Sequence, residues 1–169
     1  MKQKNTTQKI VTAALLASLT CVATMIIKIP SPLKGYINIG DCVVLLAAWS
    51  LSPLYGFLAA GLGSALADIF SGYVVYAPAT FLIKGVMALI ACCGVKILSK
   101  KAKSFTAQII SAAAAEIWMG IGYFLFEGVL YGFAPAAVNI PANCIQGLAG
   151  LILGCVLVRF FEKNKISFK

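Results

Sequence analysis

The sequence predicts an all-α membrane protein of six transmembrane helices with both termini in the cytoplasm. Hydrophobic residues make up 61% of its 169 positions and charged ones 11%, whereas a soluble domain runs near half and a quarter. Mean hydropathy is +0.95. The apolar residues fall into six blocks, and the basic residues cluster between them. Five acids and fourteen bases cannot cover the surface of a compact soluble domain, which excludes soluble enzymes and soluble nucleic-acid binders.

Each block has a physical boundary. The first runs from Ile10 to Ile29 and ends at Pro30 and Pro32, which cannot continue a helix. It follows a basic amino terminus, as a secretory signal would, but it is nearer a spanning length than a signal core. A polar connector, Ser31 to Gly40, leads to a second block, Asp41 to Leu51, too short to span alone. The Ser52-Pro53 turn opens the third, Leu54 to Phe70; a tyrosine-rich loop, Gly72 to Pro78, opens the fourth, Ala79 to Leu98. A basic link, Ser99 to Ser104, precedes the fifth, Phe105 to Leu130. Gly132 to Pro135 breaks the chain before the sixth, Ala136 to Phe161. Nothing resembles a second domain, so residues 1–169 read as one integral membrane unit.

Orientation follows from the bases. Lys2, Lys4 and Lys9, then Lys96, Lys100, Lys101 and Lys103, then Arg159, Lys163, Lys165 and Lys169 account for eleven of the fourteen. Loops that stay in the cytoplasm collect Lys and Arg, so the two termini and the link after the fourth block belong there. Six crossings satisfy this assignment and five do not. The connector, the tyrosine loop and the segment Glu127 to Pro135 then share the outer face, where a pocket for an external ligand would be built. The formal charge of +9 thus reports topology; no basic stripe interleaved with aromatics suggests nucleic acid.

The chemistry is sparse. Histidine is absent, and the six cysteines (Cys21, Cys42, Cys92, Cys93, Cys144, Cys155) form no C-x-x-C pair, so they read as buried apolar thiols rather than a metal site or disulfide framework. No phosphate-cradling loop, H-E-x-x-H or G-x-S-x-G occurs. The chain cannot hydrolyse ATP itself, and its acids are too few for a proton relay across the membrane.

Ionisable groups within apolar segments need a partner, water or a task, because inserting one costs about 2.5–3.5 kcal/mol. Asp68, Lys84 and Glu116 are such groups, and an ion pair of Lys84 with Asp68 or Glu116 would lock helices together. In the sixth block Asn139, Asn143 and Gln146 recur at helical spacing with Gly147, Gly150 and Gly154 near the same face. Carboxamides there suit either a heteroaromatic ligand or plain interhelical hydrogen bonding. Tyr36, Tyr73, Tyr76, Trp118, Tyr123, Phe126 and Tyr131 gather toward the outer face, as an interfacial belt or as a stacking surface. Glu116, Gly120 and Tyr123 share one helical face by spacing. Small residues from Ala59 to Asp68, and the pair Ala13 and Ala17, are packing surfaces.

The stretches Gly35-Tyr36-Ile37-Asn38-Ile39-Gly40-Asp41, Pro53-Leu54-Tyr55-Gly56, Gly63-Ser64-Ala65-Leu66-Ala67-Asp68 and Tyr76-Ala77-Pro78-Ala79-Thr80-Phe81-Leu82-Ile83-Lys84-Gly85 resemble the substrate-binding S component of energy-coupling factor (ECF) vitamin transporters. The subgroup is that associated with riboflavin, hydroxymethylpyrimidine or pyridoxine-type vitamins, the latter two favoured here. The resemblance implies a vitamin site near the extracellular face, no catalytic activity, no cofactor or metal, and a place in the cell membrane. It also implies partners: a transmembrane coupling subunit, reached through Ala13 and Ala17, and two cytoplasmic ATPases. On this reading Lys84, Asn139, Asn143, Glu116, Tyr76 and Asp68 line the pocket. Trp118 and Tyr123 stack on or close it, and Asn38 and Asp41 belong to a lid or its hinge. Lys84 would donate to the ligand and Glu116 would balance Lys84 or accept from the ligand. An autonomous secondary transporter or channel is the alternative, although no internal repeat supports it. An intramembrane lipid-modifying enzyme would lack a nucleophile.

Overall fold

The computed structural model describes residues 6–32, 35–100 and 102–164. Lys2, Lys4, Lys34, Lys101, Lys165 and Lys169 lie outside these. The elements are α1 (Thr6–Ile26), β1 (Ile29–Pro30), β2 (Tyr36–Ile37), α2 (Asp41–Ser50), α3 (Pro53–Phe70), α4 (Ala77–Leu98), α5 (Ser104–Tyr131), α6 (Phe133–Val138) and α7 (Ile140–Lys163). Helix starts coincide with prolines placed in the first turn of α3, α4 and α7, where the missing N–H would have had no partner. α5 ends at Gly132, whose φ of 93° few other residues adopt. The connector after α1 forms a two-stranded antiparallel ladder, Ile29 opposite Ile37 and Pro30 opposite Tyr36.

α1, α3, α4, α5 and α7 are long and apolar enough to cross a membrane. α2 has only ten residues, about 15 Å of helix, or half a hydrocarbon core. It is buried from Asp41 to Trp49. Val44, Leu45 and Trp49 pack among Ala60, Met87, Ala115 and Val158 from the four helices around them. A helix enclosed by protein need not match the bilayer in length. The long helices invert the soluble pattern, with Leu15, Leu19 and Val22 of α1 and Leu148, Ile152 and Val156 of α7 facing outward, as lipid requires.

The sixth apolar block does not form one helix. It divides at Asn139 into α6 and α7, because Pro141 supplies no N–H to continue the helix across that point. Cys93 and Cys144 also depart from the expected burial and are exposed, whereas the other four cysteines are buried. In a lipid-facing position a thiol has the same apolar surroundings that a core would give it.

The start of α1 and the end of α7 lie at one end of the bundle. Ala13 and Leu16 of α1, Leu46 of α2 and Phe161 of α7 form one cluster there, and Gln108 near the start of α5 donates to Glu162 at 3.3 Å. Ala13 is buried in that cluster and Ala17 is half-buried beside it. A Cβ on Gly63 of α3 would collide with the Ala17 carbonyl, so α1 and α3 approach closely there, as small residues on both helices allow.

Gly63→Leu is therefore expected to lower the apparent melting temperature of the detergent-purified protein, with an overpacking cost of about 1–3 kcal/mol. Gly120→Ala is the control, since nothing lies within 4 Å of an added Cβ there; its melting temperature should be unchanged or slightly higher.

Candidate functional site

The interior polar groups are anchored on Asp41, the first residue of α2. Its side chain is 1% exposed and pairs with the Lys84 ammonium of α4, itself 3% exposed. The second carboxylate oxygen accepts from Gln146 Nε2 of α7 at 2.8 Å. Gln146 Oε1 in turn accepts from the backbone N–H and side-chain amide of Asn38, at 3.0 and 3.3 Å. Asn38 Oδ1 takes the Gly40 N–H at 2.9 Å, so the connector is tied to α7 and α2 through one amide. A buried carboxylate becomes tolerable only when its charge and lone pairs are satisfied this way.

Above this network, at the end of the bundle opposite the start of α1 and the end of α7, lies a cleft bounded by the connector, α3, α4, α5 and α7. Its envelope is about 460 Å³ including an open mouth, of which about 40 Å³ admits the centre of a water-sized body. Tyr36 donates to Asp68 at 2.6 Å. Glu127 accepts from Asn139 Nδ2 at 3.0 and 3.1 Å and from the Tyr76 hydroxyl at 3.5 Å. The rings of Tyr36 and Tyr73 are 4.9 Å apart, those of Tyr73 and Tyr76 6.3 Å, forming a continuous row. Thr80 and Tyr123 share a hydroxyl contact of 3.1 Å. Burial first, then the Asp68 carboxylate, pushes the Tyr36 phenol above its ordinary pKa. Burial likewise raises Tyr76, with Tyr131 and Glu127 adding to it. Both phenols remain neutral donors at physiological pH.

Of the residues singled out in the sequence, Asn38, Asp68, Tyr76, Tyr123, Asn139 and Asn143 all border this cleft. Four others do not. Lys84 is bound to Asp41 rather than to Asp68 or Glu116, and its ammonium sits 5.5 Å from the Tyr123 ring centre. Asp41 sits beneath the cleft, paired with Lys84 and Gln146 at the start of α2. Trp118 donates its indole N–H to the Ile83 carbonyl at 3.1 Å, fastening α5 to α4. Glu116 borders, with Gly120, an apolar groove between α5 and α7 whose envelope, open mouth included, is about 1140 Å³. The expected common face of Glu116, Gly120 and Tyr123 is thus divided. A helical face about 100° wide can front two different spaces when a neighbouring helix packs against its middle. Both Glu116 carboxylate oxygens and Asn143 Nδ2 are buried without a hydrogen-bond partner among the described residues. Asn143 borders both cleft and groove.

Sequence reasoning gave Tyr36, Tyr73, Glu127 and Gln146 no settled pocket role. For Glu127 the signal was available: a carboxylate in the segment that shares the outer face with the tyrosine loop, shortly before the carboxamide of Asn139. Among the described residues no three His, Cys, Asp or Glu side chains are grouped to hold a metal.

Three comparisons bear on this architecture. The sequence profile described as "ECF-type riboflavin transporter, S component" matches residues 4–163. A protein of Pyrococcus woesei described as "Uncharacterized protein in gap 3'region" is 36% identical over 144 residues, 85% of this chain and 94% of that one. The solved structure titled "Structure and mechanism of the S component of a bacterial ECF transporter" is similar at a TM-score of 0.76 and 25% identity, covering 94% of this chain and 98% of that one.

Lys84→Met would leave the Asp41 charge buried with one amide donor, at an expected cost of about 3–5 kcal/mol in stability. The double variant Lys84→Met/Asp41→Asn should melt above Lys84→Met alone. Thermal melts of both single variants and the double measure the coupling; simple additivity would show that the pair does not hold α2 to α4.

Proposed function

The chain belongs to the family of ECF-type riboflavin transporter S components, a multi-pass cell-membrane transport protein and not an enzyme, and from that premise we propose that it captures a small single-ring heteroaromatic vitamin in the tyrosine-walled cleft. The observation that carries this reading is the convergence of Tyr36, Asp68, Tyr76, Tyr123, Asn139 and Asn143 on one cleft at one end of the bundle. Phenol rings offer a flat face to stack on, and carboxamides and carboxylates read the edge of the ring. The orientation proposed is that this end faces outward. Lys9, Lys96, Lys100, Lys103, Arg159 and Lys163 lie at or near helix ends on the opposite side, where the positive-inside rule places the cytoplasm.

Delivery would require a transmembrane coupling subunit and two separate cytoplasmic ATPases, since the chain has no nucleotide-binding motif. The coupling subunit would be reached on α1 beside Ala13 and the half-buried Ala17, where Ala14 and Ser18 are small exposed neighbours. The limited free space in the cleft favours one ring, of the pyridoxine or hydroxymethylpyrimidine type. Riboflavin is the second reading, because the family description names it; three fused rings would have to part the tyrosine row.

Mass spectrometry of small molecules retained through mild-detergent purification should recover one heteroaromatic compound. Titration with that compound should show Asn143→Ala weakening binding about three- to tenfold, the value of one buried hydrogen bond, and Tyr123→Ala weakening it further. Unchanged affinity in both variants would misplace the pocket. Uptake into liposomes by the purified chain without ATPases would favour an autonomous transporter instead.

A further inference from the structure

The acids and bases of the interior do not balance, and the imbalance is concentrated in the cleft. Lys84 is the one buried cation among the described residues, and it is committed to Asp41. Asp68 and Glu127 both border the cleft, and no described lysine or arginine does. Lys28 is exposed, hydrogen-bonded to Ser71, and lies 6.0 Å from the Tyr36 ring centre.

Both carboxyl groups are arranged as acceptors. Tyr36 donates to Asp68, and Asn139 and Tyr76 donate to Glu127. The Tyr36 hydroxyl, 2.6 Å from Asp68, is placed to stabilise the carboxylate in its ionised form. Hydrogen bonds from neutral groups disperse such charges without cancelling them. The tyrosine row runs from one carboxylate to the other, with Tyr36 bonded to Asp68 at one end and Tyr76 to Glu127 at the other. Electron-rich ring faces between two anions make a strong environment for a cation and a poor one for a phosphate or carboxylate.

Resting on the vitamin-binding reading above, we infer that the ligand of this cleft is a cationic heteroaromatic, a single ring carrying an ammonium substituent that Asp68 and Glu127 neutralise against the Tyr36–Tyr73–Tyr76 row. The ring edge is left to Asn139 and Asn143. The charge requirement separates this ligand from neutral hydroxymethyl vitamins of the same shape, and it supplies the counter-charge that the chain does not provide.

The test uses matched pairs differing only in that substituent. Full-length protein in mild detergent is titrated at pH 7 with pyridoxamine and pyridoxine, then with the 5-aminomethyl and 5-hydroxymethyl forms of 4-amino-2-methylpyrimidine, and with riboflavin. In whichever pair binds, the ammonium member should bind at least tenfold tighter. Asp68→Asn and Glu127→Gln should each reduce that ratio at least threefold. The wild-type ratio stands even if either variant fails to fold. Equal or tighter binding of the hydroxymethyl member, a ratio that survives both substitutions, or riboflavin binding above every ammonium compound would overturn the charge assignment while leaving a vitamin-binding S component intact. If none of the five compounds binds, the assignment and the single-ring reading fall together.

Discussion

A carboxylate in the middle of a membrane bundle is the constraint around which this fold is arranged. Asp41 opens α2, and left alone it would cost several kcal/mol to keep ionised away from water. Its two oxygens are served from two different helices, Lys84 of α4 and Gln146 of α7. Gln146 can aim its amide N–H at Asp41 only if its carbonyl faces the connector, and Asn38 occupies that side with two donors. One charge thereby fixes the start of α2, the rotation of α4 and α7, and the entry of the connector. Close packing reinforces this: a Cβ on Gly150 would stand 2.6 Å from Asp41 Cβ and from Glu116 Oε1. Only glycine lets α7 approach both.

That arrangement decides which polar groups remain for a ligand. Lys84 looks available in the sequence, as an isolated base in an apolar helix, yet its proton donors serve Asp41. The cleft above inherits a floor whose hydrogen bonds are already made, and the polar groups that border it are tyrosines, carboxamides and the acids at its walls. The orientation of Trp118 follows the same logic. An indole N–H near the middle of α5 has few acceptors in an apolar bundle, and the Ile83 carbonyl of α4 takes it at the cost of a stacking role.

The elements were legible in the sequence because their ends are set by local chemistry. Proline in the first turn, glycine at positive φ and charge between apolar runs act within a few residues, and the helix bounds follow them. Even the brevity of α2 was visible. The partners of Asp41 and Lys84 were not, because they depend on how each helix is rotated against neighbours more than 40 residues away. Helical spacing puts Glu116 and Tyr123 on one face but does not say which space that face fronts. The alanine pair in α1 shows the same limit: spacing marks a surface of close approach without naming the helix that approaches. In the sixth block, periodicity continued through Asn139 and hid the break that Pro141 imposes.

Two kinds of buried polar group coexist in the bundle, and the difference lies in whether donors and acceptors are balanced locally. Around Asp41 they are, and the helices there are held by directional bonds as well as by packing. Along the seam between α5 and α7 they are not: Glu116 and Asn143 Nδ2 have no hydrogen-bond partner among the described residues, and a groove of apolar side chains opens beside them. Unsatisfied groups destabilise the contact they occupy, so this seam contributes less to holding the bundle closed than the α2–α4 and α2–α7 contacts do. Asn143 stands where the seam meets the cleft, so the least satisfied contact of the bundle lies beside its most polar opening, while the Asp41 network keeps α2, α4, α7 and the connector in register.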